Sequence, residues 1–166
     1  MTNPSLLLTL AVGLLVLAAF TGLGILGLKS RTEVPEYLAE RDLSHDSGKP
    51  NFVSSLIDDP DKKTAPLSIS GNPESAWKNA VAAILATPRT ETAVEEEHYF
   101  RAETKSRVFG FVDDVEIRWD PGDEVIHIRS SSRVGHSDMG ANAERVEEIR
   151  ERFEKAQAKV SSSGPT

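Results

Sequence analysis

The chain has 166 residues, of which 39% are hydrophobic and 27% are charged, and its formal net charge at pH 7 is -7. This composition is typical of a globular protein, and the negative charge argues against a nucleic-acid partner, which needs basic surfaces that displace counterions. Because the sequence contains no cysteine, disulfides, thiol catalysis and thiolate metal sites are excluded.

The first element is an apolar segment, Leu6–Leu28, which contains no charged side chain. As an α-helix it spans roughly 34 Å, enough to cross the roughly 30 Å hydrocarbon core of a bilayer. We therefore predict a transmembrane anchor over residues 1–28, which binds the lipid bilayer through residues 6–28. A cleaved signal peptide is the alternative, although such a peptide has a basic start, a shorter apolar run and a small-residue cleavage site.

A polar stretch without sustained periodicity follows, and it predicts a tether over residues 29–49. The soluble domain is then expected at residues 50–160 and a flexible tail at residues 161–166. Lys29, Arg31 and Arg41 follow the apolar segment, whereas no Lys or Arg precedes it. This asymmetry favours a cytoplasmic location for the soluble domain.

Two helices are predicted in the soluble domain. Asn72 is a favourable N-cap, Pro73 suits the first helical position, and Pro88 ends the run. The apolar face of this helix contains Trp77, Ala80, Val81, Ile84 and Leu85. The last helix has a second apolar stripe, formed by Val146, Ile149, Phe153, Ala156 and Val160.

Strand-like runs occupy residues 92–104, 107–119 and 124–133, and a short strand near residues 67–69 precedes them. The sequence therefore predicts a single-pass α+β protein. Its antiparallel sheet of three to four strands is covered by two helices and preceded by one N-terminal transmembrane helix.

The turn sequence WDPGDE predicts an antiparallel hairpin between the last two runs. If Trp119 faces Glu124, one face of the hairpin is apolar and contains Phe109, Phe111, Val115, Ile117, Trp119, Ile126 and Ile128. On the other face this register places Asp114 opposite Arg129, Glu116 opposite His127, and Gly110 opposite Arg133. Asp113 falls on the apolar face opposite Ser130, so it needs a strand end or a polar partner.

The segment GHSDMG resembles the G-x-S-x-G turn that exposes a nucleophilic serine, but its second glycine comes one residue late and no histidine follows Ser137. A helix-capping role for Ser137 or Asp138 is favoured instead. The four histidines have no recognised ligand spacing, so we predict neither a metal site nor a cofactor.

An anion-binding site is a further hypothesis. Arg129 and Arg133 lie on one strand face with Ser131 between them, and the strand leads into a helix N-terminus, an arrangement that suits carboxylate or phosphate oxygens. Asp114 and Glu116 share this face, and cross-strand ion pairs with the arginines are the competing structural interpretation. The candidate ligand-binding residues are Asp113, Asp114, Glu116, His127, Arg129, Ser131, Arg133, Ser137 and Asp138.

The leading functional hypothesis is a membrane-anchored binding or scaffolding domain whose partner is a membrane protein or an anionic small molecule. The alternative is a hydrolase-like enzyme or an anionic or lipid ligand-binding protein. That protein would use Arg129 and Arg133 for charge and, as an enzyme, Asp113 or Asp114 as a general base. The sequence favours the non-enzymatic hypothesis and identifies no catalytic residue.

Three segments carry a family resemblance: PNFVSS (Pro50–Ser55), FGFVDDVEIR (Phe109–Arg118) and IRSSSRVGHSDMGAN (Ile128–Asn142). In this order they resemble the bacterial and plant family called domain of unknown function 1499, over residues 50–153. That family usually has cysteine at the position of Phe52 and often a basic residue at that of Ala143, so the resemblance brings no thiol role to this chain. It implies a membrane-associated or exported domain of unassigned activity, and hence an extracytoplasmic location.

Overall fold

The computed structural model describes residues 3–162, which form an antiparallel sheet, two helices on one of its faces, and a long N-terminal helix. In chain order the elements are α1 (Pro4–Thr32), α2 (Tyr37–Glu40), β1 (Phe52–Ser54), β2 (Leu67–Ser68), α3 (Pro73–Leu85), β3 (Thr90–Glu95), β4 (Tyr99–Lys105), β5 (Val112–Arg118), β6 (Val125–Ser132) and α4 (Ala141–Ser162). The predicted α+β class, with its two covering helices and long apolar N-terminal helix, is confirmed. Residues 163–166 of the predicted tail and the side chain of Val160 lie outside the described part.

The prediction of three to four strands is wrong, because the strands run in the order β1-β6-β5-β4-β3 and β2 pairs with β6 as well. The run predicted over residues 92–104 is a hairpin of β3 and β4, closed by a hydrogen bond of 2.9 Å from the Glu96 amide to the Tyr99 carbonyl. Its turn exposes the consecutive acids Glu95, Glu96 and Glu97 to solvent. The strand β1 was not predicted, because its three residues are too short for alternation to be recognised.

The core lies between the sheet and the two helices. Asn72 caps α3 as predicted, since its side-chain oxygen accepts a hydrogen bond of 2.8 Å from the Ser75 amide. The buried stripe of α3 is rotated relative to the prediction, because Ala76 and Ala83 are buried whereas Leu85 is 42% exposed. The fully buried core side chains include Phe100, Val115, Ile117, Ile126, Ile128, Val146, Ile149 and Phe153.

The hairpin of β5 and β6 has the predicted faces but not the predicted register. Ile117 pairs with Ile128, Glu116 with Arg129, Asp114 with Ser131, and Arg118 with His127, which is two residues from the expected alignment. A shift of two residues leaves every side chain on its face, so the apolar pattern is satisfied by both registers. Phe109 and Phe111, predicted for the apolar face, precede β5 and pack near α1 instead.

The other face of the sheet, which we call the polar face, is covered by residues 33–49. Leu38 and Leu43 are buried, and the Ser54 hydroxyl donates a hydrogen bond of 2.6 Å to the Leu43 carbonyl. The segment predicted to be a polar tether therefore lies against the sheet.

The helix α1 extends past the predicted apolar segment, and its last turn contacts the sheet. The buried Ser30 hydroxyl accepts a hydrogen bond of 3.1 Å from the Val112 amide at the start of β5. By length and composition α1 can cross a membrane, a property that it shares with signal sequences.

Candidate functional site

Six charged side chains form a cluster on the polar face, which we call the polar cluster: Arg101, Glu103, Asp114, Glu116, Arg129 and Arg133. Their placement follows from strand alternation, which puts residues two apart on one face while their neighbours face the core. Asp114, Glu116 and Arg129 are fully buried. Buried charged side chains are stable only when they are paired with opposite charges. The polar cluster meets this requirement in number, because it contains three cations and three acids.

Asp114 is fully engaged by guanidinium groups. Its carboxylate accepts hydrogen bonds from Arg101 Nη1 at 2.6 Å and from Arg133 Nε and Nη2 at 2.7 and 2.9 Å. Arg133 also contacts Glu103 and donates a hydrogen bond of 3.2 Å to the Ser30 carbonyl. Burial alone would lower the pKa of Arg133, but the hydrogen bonds with Asp114 outweigh it and hold that pKa above its usual range. Asp114 is therefore a structural partner of two arginines.

Glu116 is less well satisfied. One carboxylate oxygen accepts a hydrogen bond of 2.8 Å from the Tyr99 hydroxyl, and the other lies 3.7 Å from Arg129 Nε without a hydrogen bond. Burial raises the pKa of Glu116 to about 7, although the Tyr99 hydrogen bond and the Arg129 charge act in the opposite direction. The Glu116 carboxyl group therefore titrates near neutral pH.

Arg129 is the least satisfied member of the cluster. Its guanidinium carbon lies 4.5 Å from the ring centre of Phe52 and 5.0 Å from that of Tyr37, and Nη1 donates to the carbonyls of Leu43 and His45. Its Nε and Nη2 are buried and make no hydrogen bond with any described residue. Buried donors without partners are uncommon because each loses its hydration without compensation.

A cavity of about 140 Å³ opens beside Arg129, between the polar face and residues 35–49. Its described lining carries three cationic side chains and no carboxylate, and includes Tyr37, Lys49, Arg129, Ser131, Ser132 and Arg133. The Tyr37 and Ser131 hydroxyl groups lie 3.3 Å apart at its wall. Guanidinium, ammonium and hydroxyl donors around one small space suit an oxyanion.

A family model described as a protein of unknown function (DUF1499) matches residues 42–153, which is more than half of the chain. The chain belongs to the DUF1499 family. None of the curated proteins matches it. The DUF1499 match begins at Asp42, so the Leu43 and His45 carbonyls that bind Arg129 lie inside the family domain, whereas α1 and Tyr37 precede it.

Within the DUF1499 domain the candidate residues from the sequence separate into three places. The polar face carries Asp114, Glu116, Arg129 and Arg133 together with Ser131 and the half-buried His127, whose Nδ1 lies 3.2 Å from the Ser55 hydroxyl.

Asp113 is on the opposite face of the sheet, 2.7 Å from Arg145 of α4. Because Asp113 and Asp114 are consecutive in a strand, they point to opposite faces and cannot act together with Arg129 and Arg133. The expectation that Asp113 lies opposite Ser130 is also wrong, since its partner in β6 is Ser132.

Ser137 and Asp138 precede α4. Asp138 accepts a hydrogen bond of 2.8 Å from the Asn142 amide, and the Ser137 hydroxyl accepts one of 3.2 Å from the Met139 amide. Nearby, the buried Asn142 side chain donates to the Asn51 carbonyl at 2.9 Å and accepts from the Ser130 hydroxyl at 2.7 Å. These hydrogen bonds fix the connection between the end of β6 and the start of α4. Among the residues that the structure describes, no group of three or more His, Asp or Glu side chains is arranged to hold a metal ion.

Several residues of the polar cluster, of the cavity and of their contacts were not predicted from the sequence, namely Tyr37, Lys49, Tyr99, Arg101, Glu103 and the Asp113 partner Arg145. A signal was present for three of them, because Tyr99, Arg101 and Glu103 alternate with Phe100, Ala102 and Thr104. Tyr37 and Lys49 come from a segment without helical or strand periodicity. Their proximity to the polar cluster therefore depends on tertiary contacts, which the sequence pattern does not show.

Proposed function

We propose that the protein is a membrane-anchored binding domain that holds a small oxyanion, a carboxylate or phosphate group, in the cavity beside Arg129. The observation that carries the proposal is that three cationic side chains, Lys49, Arg129 and Arg133, line that cavity, whose described lining contains no carboxylate. A guanidinium group binds such oxygens through paired hydrogen bonds.

The charges around the cavity favour an anion. Lys49, Arg129 and Arg133 line it, and Arg133 already has two carboxylate partners in Asp114 and Glu103. Arg129 lies within ion-pair distance of Glu116, which burial keeps partly protonated at neutral pH, and its charge also lowers the pKa of Asp42 and Asp46. An anion in the cavity would lie among three cationic side chains whose carboxylate partners are outside the described lining.

The size of the cavity restricts the ligand. A volume of about 140 Å³ is below the roughly 300–1,000 Å³ that holds a drug-sized molecule. The cavity therefore suits one charged group, with the rest of any larger molecule outside. Since Pro35 and Tyr37 follow α1 closely and line the cavity, the anion would be held near the membrane surface.

The two acids that the enzymatic alternative would use as a general base, Asp113 and Asp114, are not available for that role. Asp114 accepts three hydrogen bonds, and Asp113 is on the other side of the sheet. A general base must reach the proton that it removes, so these two residues support binding better than hydrolysis.

The proposal is tested by thermal unfolding of the full-length protein in neutral detergent, with phosphate, acetate or chloride at equal ionic strength. A ligand at a hundredfold excess over its Kd stabilises the folded state by about 3 kcal/mol. We expect phosphate or acetate to raise the Tm of the wild type above its value in chloride. The comparison of these two anions identifies the preferred oxyanion.

Two matched lysine variants locate the effect. Lys49→Ala removes an exposed cation from the cavity wall, whereas Lys63→Ala removes an exposed cation that pairs with Asp58 elsewhere. Lys49→Ala should lose much of the anion-dependent rise in Tm, and Lys63→Ala should keep it. Equal Tm values in all three salts, or equal responses of the two variants, would contradict the proposal.

A further inference from the structure

The contact between α1 and the folded domain begins within the apolar segment of the helix and continues to Arg31. The ring centres of Phe20 and Phe109 are 5.8 Å apart, and the Phe109 carbonyl lies against Gly27. Arg31 donates hydrogen bonds of 2.9 and 3.1 Å to the carbonyls of Phe109 and Gly110. The loop of residues 106–111 is therefore fixed beside α1 at the level of Phe20 to Arg31.

If α1 crosses a bilayer, much of the part of the helix that contacts the loop lies inside the bilayer. A helix of about 34 Å centred on a hydrocarbon core of about 30 Å leaves its last residue, Leu28, about 2 Å outside the core. At about 1.5 Å per residue, Leu23 then lies about 5 Å and Phe20 about 10 Å below the surface of that core. A loop that contacts these residues must enter the leaflet.

A second loop, residues 134–140, borders the same part of α1. A groove between this loop and the helix is lined by the apolar side chains of Leu23, Leu26, Phe111 and Met139, and also by polar residues that include Asp113, Ser137 and Asp138. Met139 is 98% exposed and has a φ of 56°, a left-handed conformation that a non-glycine residue adopts at a cost on the order of 1–3 kcal/mol. In water, the exposed methionine side chain contributes no hydrophobic stabilisation that could offset this strain. Burial of the side chain in lipid would contribute such stabilisation.

The two most exposed apolar side chains of the domain lie beside α1. Outside α1, the large hydrophobic side chains that are exposed in the described range are Val34, Leu85, Val108 and Met139. Val108, which is 76% exposed, and Met139 are at the tips of the two loops beside α1. Arg107 is exposed next to Val108, where its charge can reach lipid phosphates.

We propose that the loops of residues 106–111 and 134–140 insert their apolar tips, Val108 and Met139, into the lipid leaflet that α1 crosses. The domain is then held at the bilayer by the two loops in addition to α1. Interfacial insertion of about 5–10 Å is the depth that amphipathic segments reach in membranes. The inference rests on the proposed anchoring by α1 and is independent of the oxyanion site.

Site-specific labelling tests the insertion, since the chain has no cysteine and each introduced thiol is unique. The full-length variants Val108→Cys and Met139→Cys are labelled with bimane and reconstituted into phosphatidylcholine vesicles. Leu15→Cys in the middle of α1 is the lipid control, and Leu85→Cys, 42% exposed on α3, is the aqueous control. Quenching is measured with a doxyl-labelled phosphatidylcholine and with aqueous iodide.

We expect the labels at positions 108 and 139 to lose most of their emission to a doxyl group near the lipid headgroup and little to iodide. The label at position 85 should show the reverse. If Leu15→Cys is quenched by lipid while positions 108 and 139 respond like position 85, the insertion is refuted and the anchor stands. If Leu15→Cys is itself quenched by iodide, both the anchor and the insertion are refuted.

Two glycine variants test whether the helix contact positions the loop. A Cβ atom at Gly27 would overlap the Phe109 carbonyl oxygen, whereas one at Gly24 would meet nothing within 4 Å. Gly27→Ala should therefore expose the label at position 108 to iodide, and Gly24→Ala should leave it protected. An unchanged signal in both variants would contradict the geometry on which the insertion depends.

Discussion

Replacing Arg133 with alanine is expected to destabilise the domain by about 3–5 kcal/mol, the usual effect of removing one partner of a buried ion pair. Its side chain is 1% exposed and binds Asp114, Glu103 and the Ser30 carbonyl. Without it, the fully buried Asp114 keeps only Arg101, and α1 loses a contact with the sheet. Urea unfolding of the full-length protein in detergent measures the loss.

Lys155→Ala provides the comparison for this variant, because it breaks an exposed pair with Glu151 on α4. Such surface pairs contribute about 0–1 kcal/mol. The double variant Asp114→Ala, Arg133→Ala should lose less than the sum of the two single losses, since it leaves no buried carboxylate at position 114. A loss for Arg133→Ala no greater than that for Lys155→Ala would show that the cluster is not a structural unit.

The second large effect is a decrease in stability between about pH 4.5 and pH 7 that depends on Glu116. Burial raises the pKa of this carboxyl from 4.5 to about 7 in the folded state. Between these pH values the folded protein binds more protons than the unfolded chain, so the free energy of unfolding falls as the pH rises and levels off above pH 7. Since a pKa difference of one corresponds to about 1.4 kcal/mol, the total decrease is about 3 kcal/mol.

Glu116→Gln isolates this contribution, because glutamine retains an oxygen for the Tyr99 hydroxyl but does not titrate. Urea midpoints of wild type and variant are compared from pH 5 to pH 8. The stability of the wild type relative to the variant should fall across this range, whereas Glu91→Gln, which alters an exposed acid paired with Lys105, should follow the wild type. A constant difference between wild type and Glu116→Gln would mean that Glu116 is ionised throughout.

The faces of the β5 and β6 hairpin could be predicted from the sequence, but its register could not. Val115, Ile117, Ile126 and Ile128 alternate with polar residues, and this fixes which side chains face the core. The register depends on the turn, where the Trp119 indole donates a hydrogen bond of 3.2 Å to the Asp123 carbonyl and its ring packs edge-on against His98. These contacts lengthen the loop, and periodicity carries no information about them.

Half of the candidate site could be predicted on the same basis. Arg129, Ser131 and Arg133 were placed together with Asp114 and Glu116 by alternation alone. The covering segment could not be predicted, because Leu38 and Leu43 are isolated apolar residues in a polar stretch. The Leu43 and His45 carbonyls bind Arg129 through the backbone, which leaves no trace in side-chain pattern.

The most direct test of oxyanion binding in the cavity monitors the arginine side chains themselves. In full-length protein with isotope-labelled arginine, the Nε resonance of Arg129 is assigned with an Arg129→Lys variant and monitored during a phosphate titration at constant ionic strength. We expect a saturable shift of the Arg129 resonance, and none for Arg107, which is exposed outside the cavity. A shift at Arg129 no larger than that at Arg107 would contradict the proposed oxyanion site.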